Sequence, residues 1–172
     1  MAQEVDSLDF WKDRIENARL SGKIHHSIYE LEDGIWGAVE FRHMTLSRLH
    51  IKPEHKVLDI ACGYGRLSKY FDPEKYMGVD FSNDFLDIAK EFHPNHKYTQ
   101  ADIKDLPFED NEFDWGIGVS IKWMVQRELG EDVWNPMEKE LRRVCKNIIF
   151  MEYSDGKDNY LIEDHEVINC ED

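Results

Sequence analysis

The residues of this chain best suited to chemistry are small residues and carboxylates at the ends of apolar runs. VLDIACGYGRLS, from Val57, reads as a strand running into a turn with Gly63 and Gly65 and then into a helix. Glycine lets the backbone turn tightly and lets a ligand come close, and the first N–H groups of a helix suit an anion. Alone, the stretch is equally a plain strand-to-helix turn. The next strand ends on Asp80 in YMGVDFS, about 20 residues on, where an acid accepts hydrogen bonds from ribose hydroxyls. Phe81 beside it can lie against a purine ring. Asp80 could instead cap the helix that follows, although Ser82 and Asn83 are available for that task. In QADIKDLPFEDNEFDWGIGVS, Asp102 closes a third strand, where it could accept from an adenine amino group, while Asp105 reads as a loop acid. Ser120 to Trp123 follow a fourth strand. As a set, these signals describe a site for an adenosine-bearing ligand.

The elements that must position them alternate. Strands are predicted over 55–61, 76–82, 97–102, 113–120 and 146–153. Helices are predicted in GRLSKYF, in NDFLDIAKEF (stopped by Pro94) and in NPMEKELRRVC, with Asn135 as cap and Pro136 in the first turn. Strands separated by helices give right-handed crossovers and a mostly parallel sheet, which binds ligands at the carboxyl ends of its strands. Ahead of this body, Leu8, Trp11, Ile15 and Ala18 recur at helical spacing, and a second helix is expected from Ile35 to about Leu49. The chain reads as a single domain, 1–172, with an N-terminal helical lid over 1–52 and an α/β core over 53–172.

Bulk properties narrow the partners. A formal charge of −15 on 172 residues argues against nucleic acid, whose phosphates need Lys and Arg. The cluster Arg142, Arg143 and Lys146 reads as a helix end, where cations suit the dipole. No run approaches the roughly 18 apolar residues that cross a membrane, and MAQEVDSLDF lacks the apolar segment of a signal peptide. Three cysteines, Cys62, Cys145 and Cys170, at wide irregular spacing suit a reducing compartment. The expectation is a cytoplasmic protein. Neither the cysteines nor His25 and His26 have metal-ligand spacing, so no metal is expected.

From Val57 to about Tyr153 the chain resembles class I methyltransferases dependent on S-adenosyl-L-methionine (SAM). LDIACGYGRLS is similar to that family's first motif and GVDFSNDFLDIAK to its second. ADIKDLPFEDNEFD resembles its D-x-x-x-L-P-F-x-D-x-x-F-D stretch, and MEKELRRVCKNIIFME resembles its helix leading into strand five. The resemblance implies a Rossmann-like, doubly wound α/β fold with SAM as cofactor. By position, it implies that Asp59 holds the methionine ammonium, directly or through water, and that Ala61, Cys62, Gly63 and Gly65 wrap the methionine end. Asp80 would take the ribose hydroxyls, with Phe81 against adenine and Ser82 in the same stretch. Asp102 and Ile103 would meet the adenine edge and face, and Val119 and Ser120 would offer backbone near the sulfonium.

Three features depart from the family. Ala61 stands where the first glycine is usual, a small change expected to be tolerated. The Gly-Gly turn before strand five is missing. The tail DNYLIEDHEVINCED can supply at most one or two short strands, so an exposed edge is expected after strand five, with a homodimer as one way to cover it. Methyl transfer leaves the protein chiefly to position and desolvate the reactants, and a base is needed only if the acceptor must lose a proton. Absence of a catalytic triad is therefore expected. Tyr29, Trp36 and Trp11 in the lead, and Lys122 and Trp123 after strand four, could line an acceptor pocket, although ordinary packing is the simpler role for the lead's aromatics. The expected function is methyl transfer from SAM to a small-molecule acceptor. The alternatives are a SAM-binding protein that degrades SAM without an acceptor or acts as a non-catalytic partner subunit, and an NAD or nucleotide-sugar binder, which the single Gly-x-Gly pair disfavours.

Overall fold

Six strands form one sheet in the order β3-β2-β1-β4-β5-β6. The computed structural model of the protein describes residues 50–119, 121–154 and 162–169, all within the unit Met44–Asp172. Tyr29, Trp36, Ser120 and all but the last three residues of the expected lid lie outside the described residues. The strands are β1 (Val57–Ile60), β2 (Tyr76–Asp80), β3 (Lys97–Gln100), β4 (Trp115–Val119), β5 (Asn147–Ser154) and β6 (Ile162–Asn169). The helices are α1 (Asn83–Phe92), α2 (Ile121–Glu128) and α3 (Glu131–Val144). Strands β1 to β5 pair in parallel. This is the expected doubly wound α/β sheet.

β1 lies at the centre, between β2 and β4, and is buried throughout. Its alternation supplies two cores, because successive side chains point to opposite faces. Leu58 and Ile60 join Val79, Leu141, Ile148 and Phe150 on one face. Val57 joins Ile51, Leu67, Trp115, Ile117 and Ile149 on the other. β2 stands beside β1 and β3 beside β2 in register, with Asp59 against Gly78 and Gly78 against Tyr98.

Three expectations are corrected. The segment 65–71 does not open an α-helix and makes only a 3₁₀ turn over Ser68–Tyr70. Gly65 has a left-handed φ of +75°, Phe71 is extended, and the residue before Pro73 is steered out of the helical region. Too few residues remain between these limits to offset helix nucleation. Second, α3 starts at Glu131 and contains Pro136 in its interior, so Asn135 is not its cap. Glu131 and Asp132 occupy the first turn, where acids complement the helix dipole, and Gly130 at φ +92° breaks the chain between α2 and α3. Third, the edge of β5 is covered. All eight residues of β6 pair with it antiparallel, from Asn147 with Asn169 to Ser154 with Ile162.

Candidate functional site

The loop after β1 and the carboxyl ends of β2 and β4 meet at one edge of the sheet. Cys62 donates its N–H to the Val79 carbonyl at 2.9 Å, which ties the loop to β2. The Asp80 side chain completes the tie: Oδ2 accepts from the Gly63 N–H and Oδ1 from the Ser82 N–H, each at 2.9 Å. The structure thus joins the glycine turn to the acid that the sequence placed about 20 residues later. Asp80 is 4% exposed. Burial raises its carboxyl above the usual range, against the pull of the Ser82, Gly63 and Phe81 backbone groups. Two carboxylate oxygens offer about four acceptor positions, so acceptance from two N–H groups leaves capacity for hydroxyl donors.

The loop residues divide by task. A Cβ at Gly63 would meet nothing within 4 Å, whereas one at Gly65 would lie 2.6 Å from Tyr98 Oη, 3.0 Å from Ser68 Oγ and 3.1 Å from Ala89 Cβ. Gly63 therefore faces open space, as close approach by a ligand requires. Gly65 is confined by the protein itself. Ala61 has φ +53°, a left-handed conformation costing an L-residue about 1–2 kcal/mol, so the replacement of glycine at this position carries strain. Cys62 is buried, its thiol raised well above the usual range by burial and by the charges of Asp59 and Asp80.

Asp59 is 3% exposed and accepts from the Tyr76 hydroxyl at 2.6 Å. The same burial holds the Tyr76 phenol well above its ordinary pKa, helped by the Asp59 charge. Phe81 is 37% exposed, one of two large apolar residues that stand exposed among the described residues. Gln100 fixes its backbone by donating to the Phe81 carbonyl at 2.9 Å. Asp102 is exposed and engaged locally, accepting from the Lys104 N–H at 2.9 Å and pairing with its ammonium at 3.3 Å. Ile103 turns inward and is 7% exposed in the core. Val119 ends β4 and packs beside Ile117. Trp123 lies in α2 with the Arg127 guanidinium 3.7 Å from its ring centroid.

Sequence reasoning passed over several residues that build this edge. Ser68 and Tyr98 share a hydrogen bond of 2.6 Å directly behind the glycine loop. Period-two alternation puts Tyr76 on the face of Asp59 and could have found that partner, but nothing local joins Ser68 to Tyr98. Arg143 was read as a helix-end cation. It does stand in the last turn of α3, and from there it also holds the 102–113 loop, donating to the Leu106 and Phe108 carbonyls at 3.0 and 2.8 Å while gripping Glu140 at 2.6 Å. Among the described residues, no helix is long and apolar enough to cross a membrane and no group of three or more metal-ligating side chains is assembled.

A known family model, a methyltransferase domain, matches residues 57–147, more than half of the 172-residue chain. This chain belongs to the class I SAM-dependent methyltransferases. Among curated proteins it is similar to a fatty-acid O-methyltransferase of Mycolicibacterium smegmatis, 25% identical over 75% of this chain and 47% of that protein. It is also similar to a 2-phytyl-1,4-naphtoquinone methyltransferase of Trichormus variabilis, 32% identical over 62% of this chain and 48% of that protein. The chain thus spans about half the length of these relatives. Among solved structures, a protein of Pyrococcus horikoshii superposes with a TM-score of 0.56 at 27% identity, over 75% of this chain and 58% of that one. A SAM-dependent methyltransferase of Methanosarcina mazei shares the fold, with a TM-score of 0.57 at 17% identity over 64% and 58% of the two chains.

Proposed function

We propose that this edge binds S-adenosyl-L-methionine and that the protein transfers its methyl group to a small-molecule acceptor. One observation carries the reading: the buried Asp80 carboxylate is hydrogen-bonded to Gly63, the loop glycine whose outer side is open, with the exposed Phe81 alongside. The residues present fit the cofactor. Open space at Gly63 admits the methionine half. Asp80 retains acceptor capacity for ribose hydroxyls, Phe81 offers a ring to adenine, and Asp59 offers negative charge to an ammonium. Ala61, Cys62 and Val119 would contribute backbone, and Asp102 an acceptor for the adenine amino group. Ile103 would serve from beneath, as packing. When bound, the cofactor supplies a sulfonium methyl open to in-line attack.

The protein's part is then to bind, orient and exclude water. The relatives whose printed names give fatty acid and naphtoquinone acceptors support a small-molecule acceptor of apolar character. Tyr29, Trp36 and Trp123 remain the candidates for contacting it. A cytoplasmic setting accords with free thiols at Cys62 and Cys145. A homodimer that covers the edge of β5 is not needed, since β6 already pairs with it.

Titration calorimetry tests the cofactor. SAM and S-adenosylhomocysteine are expected to bind and NAD is not. Asp80→Ala should abolish binding and Asp80→Asn, which keeps one acceptor oxygen, should weaken it. Binding of NAD alone would sink the reading. Incubation with SAM, with and without fatty-acid and quinol acceptors, then separates transfer from the alternative of breakdown without an acceptor: products that form equally without acceptor overturn the transferase assignment.

A further inference from the structure

The carboxylate of Asp59 meets a buried hydroxyl group. Tyr76 is 2% exposed, and its single proton goes to Asp59 Oδ2 at 2.6 Å. Behind it, Ser68 is fully buried and shares a 2.6 Å hydrogen bond with the Tyr98 hydroxyl. The Tyr76 and Tyr98 rings meet edge to face with centroids 6.0 Å apart. Burial holds the phenols neutral, with Tyr98 pushed up to about 12. Tyr76 is therefore a fixed donor to Asp59 and not a base.

The sheet register makes the contact between Asp59 and Tyr76 possible. Tyr76 stands opposite Val57, and Gly78 stands between Asp59 and Tyr98, so Asp59, Tyr76 and Tyr98 share a face. A Cβ at Gly78 would lie 2.6 Å from Tyr98 Cδ1 and 2.9 Å from Cys62 Sγ. Glycine there lets the Tyr98 ring cross β2 to reach Ser68. Ser68 is available because its segment makes a short turn in place of a helix.

We propose that Tyr76, through its buried hydrogen bond to Asp59, is a positioning residue that fixes Asp59 for the ammonium of the cofactor's methionine half. This rests on the reading of the site as a SAM site. Two ligands separate positioning from general structural support. S-adenosylhomocysteine carries the ammonium, while 5′-methylthioadenosine keeps adenosine and sulfur but lacks the amino-acid portion. Calorimetry, with methylthioadenosine measured by competition, should find Tyr76→Phe about tenfold weaker for S-adenosylhomocysteine, the equivalent of one hydrogen bond to a charged group. Its affinity for methylthioadenosine should stay within about twofold of wild type. Equal losses for both ligands, or no loss for S-adenosylhomocysteine, overturn the positioning role alone. Failure of the unaltered protein to bind S-adenosylhomocysteine overturns the cofactor reading and this inference with it.

Discussion

Gly63 and Gly65 lie two residues apart in the same loop, both with left-handed backbone at φ +53° and +75°, yet alanine should act differently at each. Left-handed backbone costs an alanine about 1–2 kcal/mol, and the loss of unfolded-chain freedom returns about 0.4–1 kcal/mol. At Gly63, where a Cβ meets nothing within 4 Å, the net is roughly 1 kcal/mol. At Gly65 the new methyl would sit 2.6 Å from Tyr98 Oη and near Ser68 and Ala89, and overpacking adds about 1–3 kcal/mol. Gly65→Ala should therefore cost roughly 2–4 kcal/mol. For a chain of this size, each kcal/mol moves Tm by about 2–4 °C. Thermal melts followed by circular dichroism should find Tm lowered by about 2–4 °C in Gly63→Ala and about 4–16 °C in Gly65→Ala. Cofactor affinity should follow the opposite order, because only Gly63 faces the open side. Since the closest atom at Gly65 is a hydroxyl oxygen, the double variant Gly65→Ala/Tyr98→Phe should be less destabilised than the sum of its parts, with a coupling of about 0.5–3 kcal/mol. Equal Tm losses for the two single variants, or strict additivity in the double, would refute the division of labour between the glycines.

Two further outcomes are expected. Arg143→Lys should cost roughly 2 kcal/mol in urea denaturation, nearly as much as Arg143→Ala, since an ammonium cannot reproduce the forked contacts to Glu140, Leu106 and Phe108; full retention of stability by the lysine variant would refute the clamp. Burial, His96 and Lys69 lower the His93 pKa below its ordinary 6.5, so as pH falls through 6.5 the unfolded chain protonates first and stability is lost progressively down to the folded pKa. His93→Gln should flatten that part of the stability profile, and an unchanged slope below the ordinary histidine value would count against it.

Much of the framework was legible because it is local. Short strand-like runs separated by turns and helices marked β1 to β5, and the helix Asn83–Phe92 was read to the residue from its apolar face and Pro94. The pairing of a glycine turn with Asp80 was legible through spacing alone, because a parallel crossover of about 20 residues returns the chain to a neighbouring strand end. The failures occurred where backbone limits or distant partners decided. Nothing in GRLSKYF forbids a helix except Gly65 on one side and Pro73 on the other. Nothing near Arg143 announces the carbonyls of a loop more than 30 residues earlier.

The sequence by itself therefore determined the existence and order of β1 to β5, the helix Asn83–Phe92, the sheet class and Asp80 as the end of β2. These follow from side-chain period and from the backbone freedom of glycine and proline, both properties of short stretches. Only the tertiary structure decided which glycine faces open space, that Ile103 packs inward while Phe81 stays exposed, that β6 covers β5, that the Tyr76 hydroxyl meets Asp59, and that Ser68 pairs with Tyr98. Those outcomes depend on strand register, which brings residues such as Asp59, Gly78 and Tyr98 side by side, and register is fixed only when both faces of the sheet bury their side chains together.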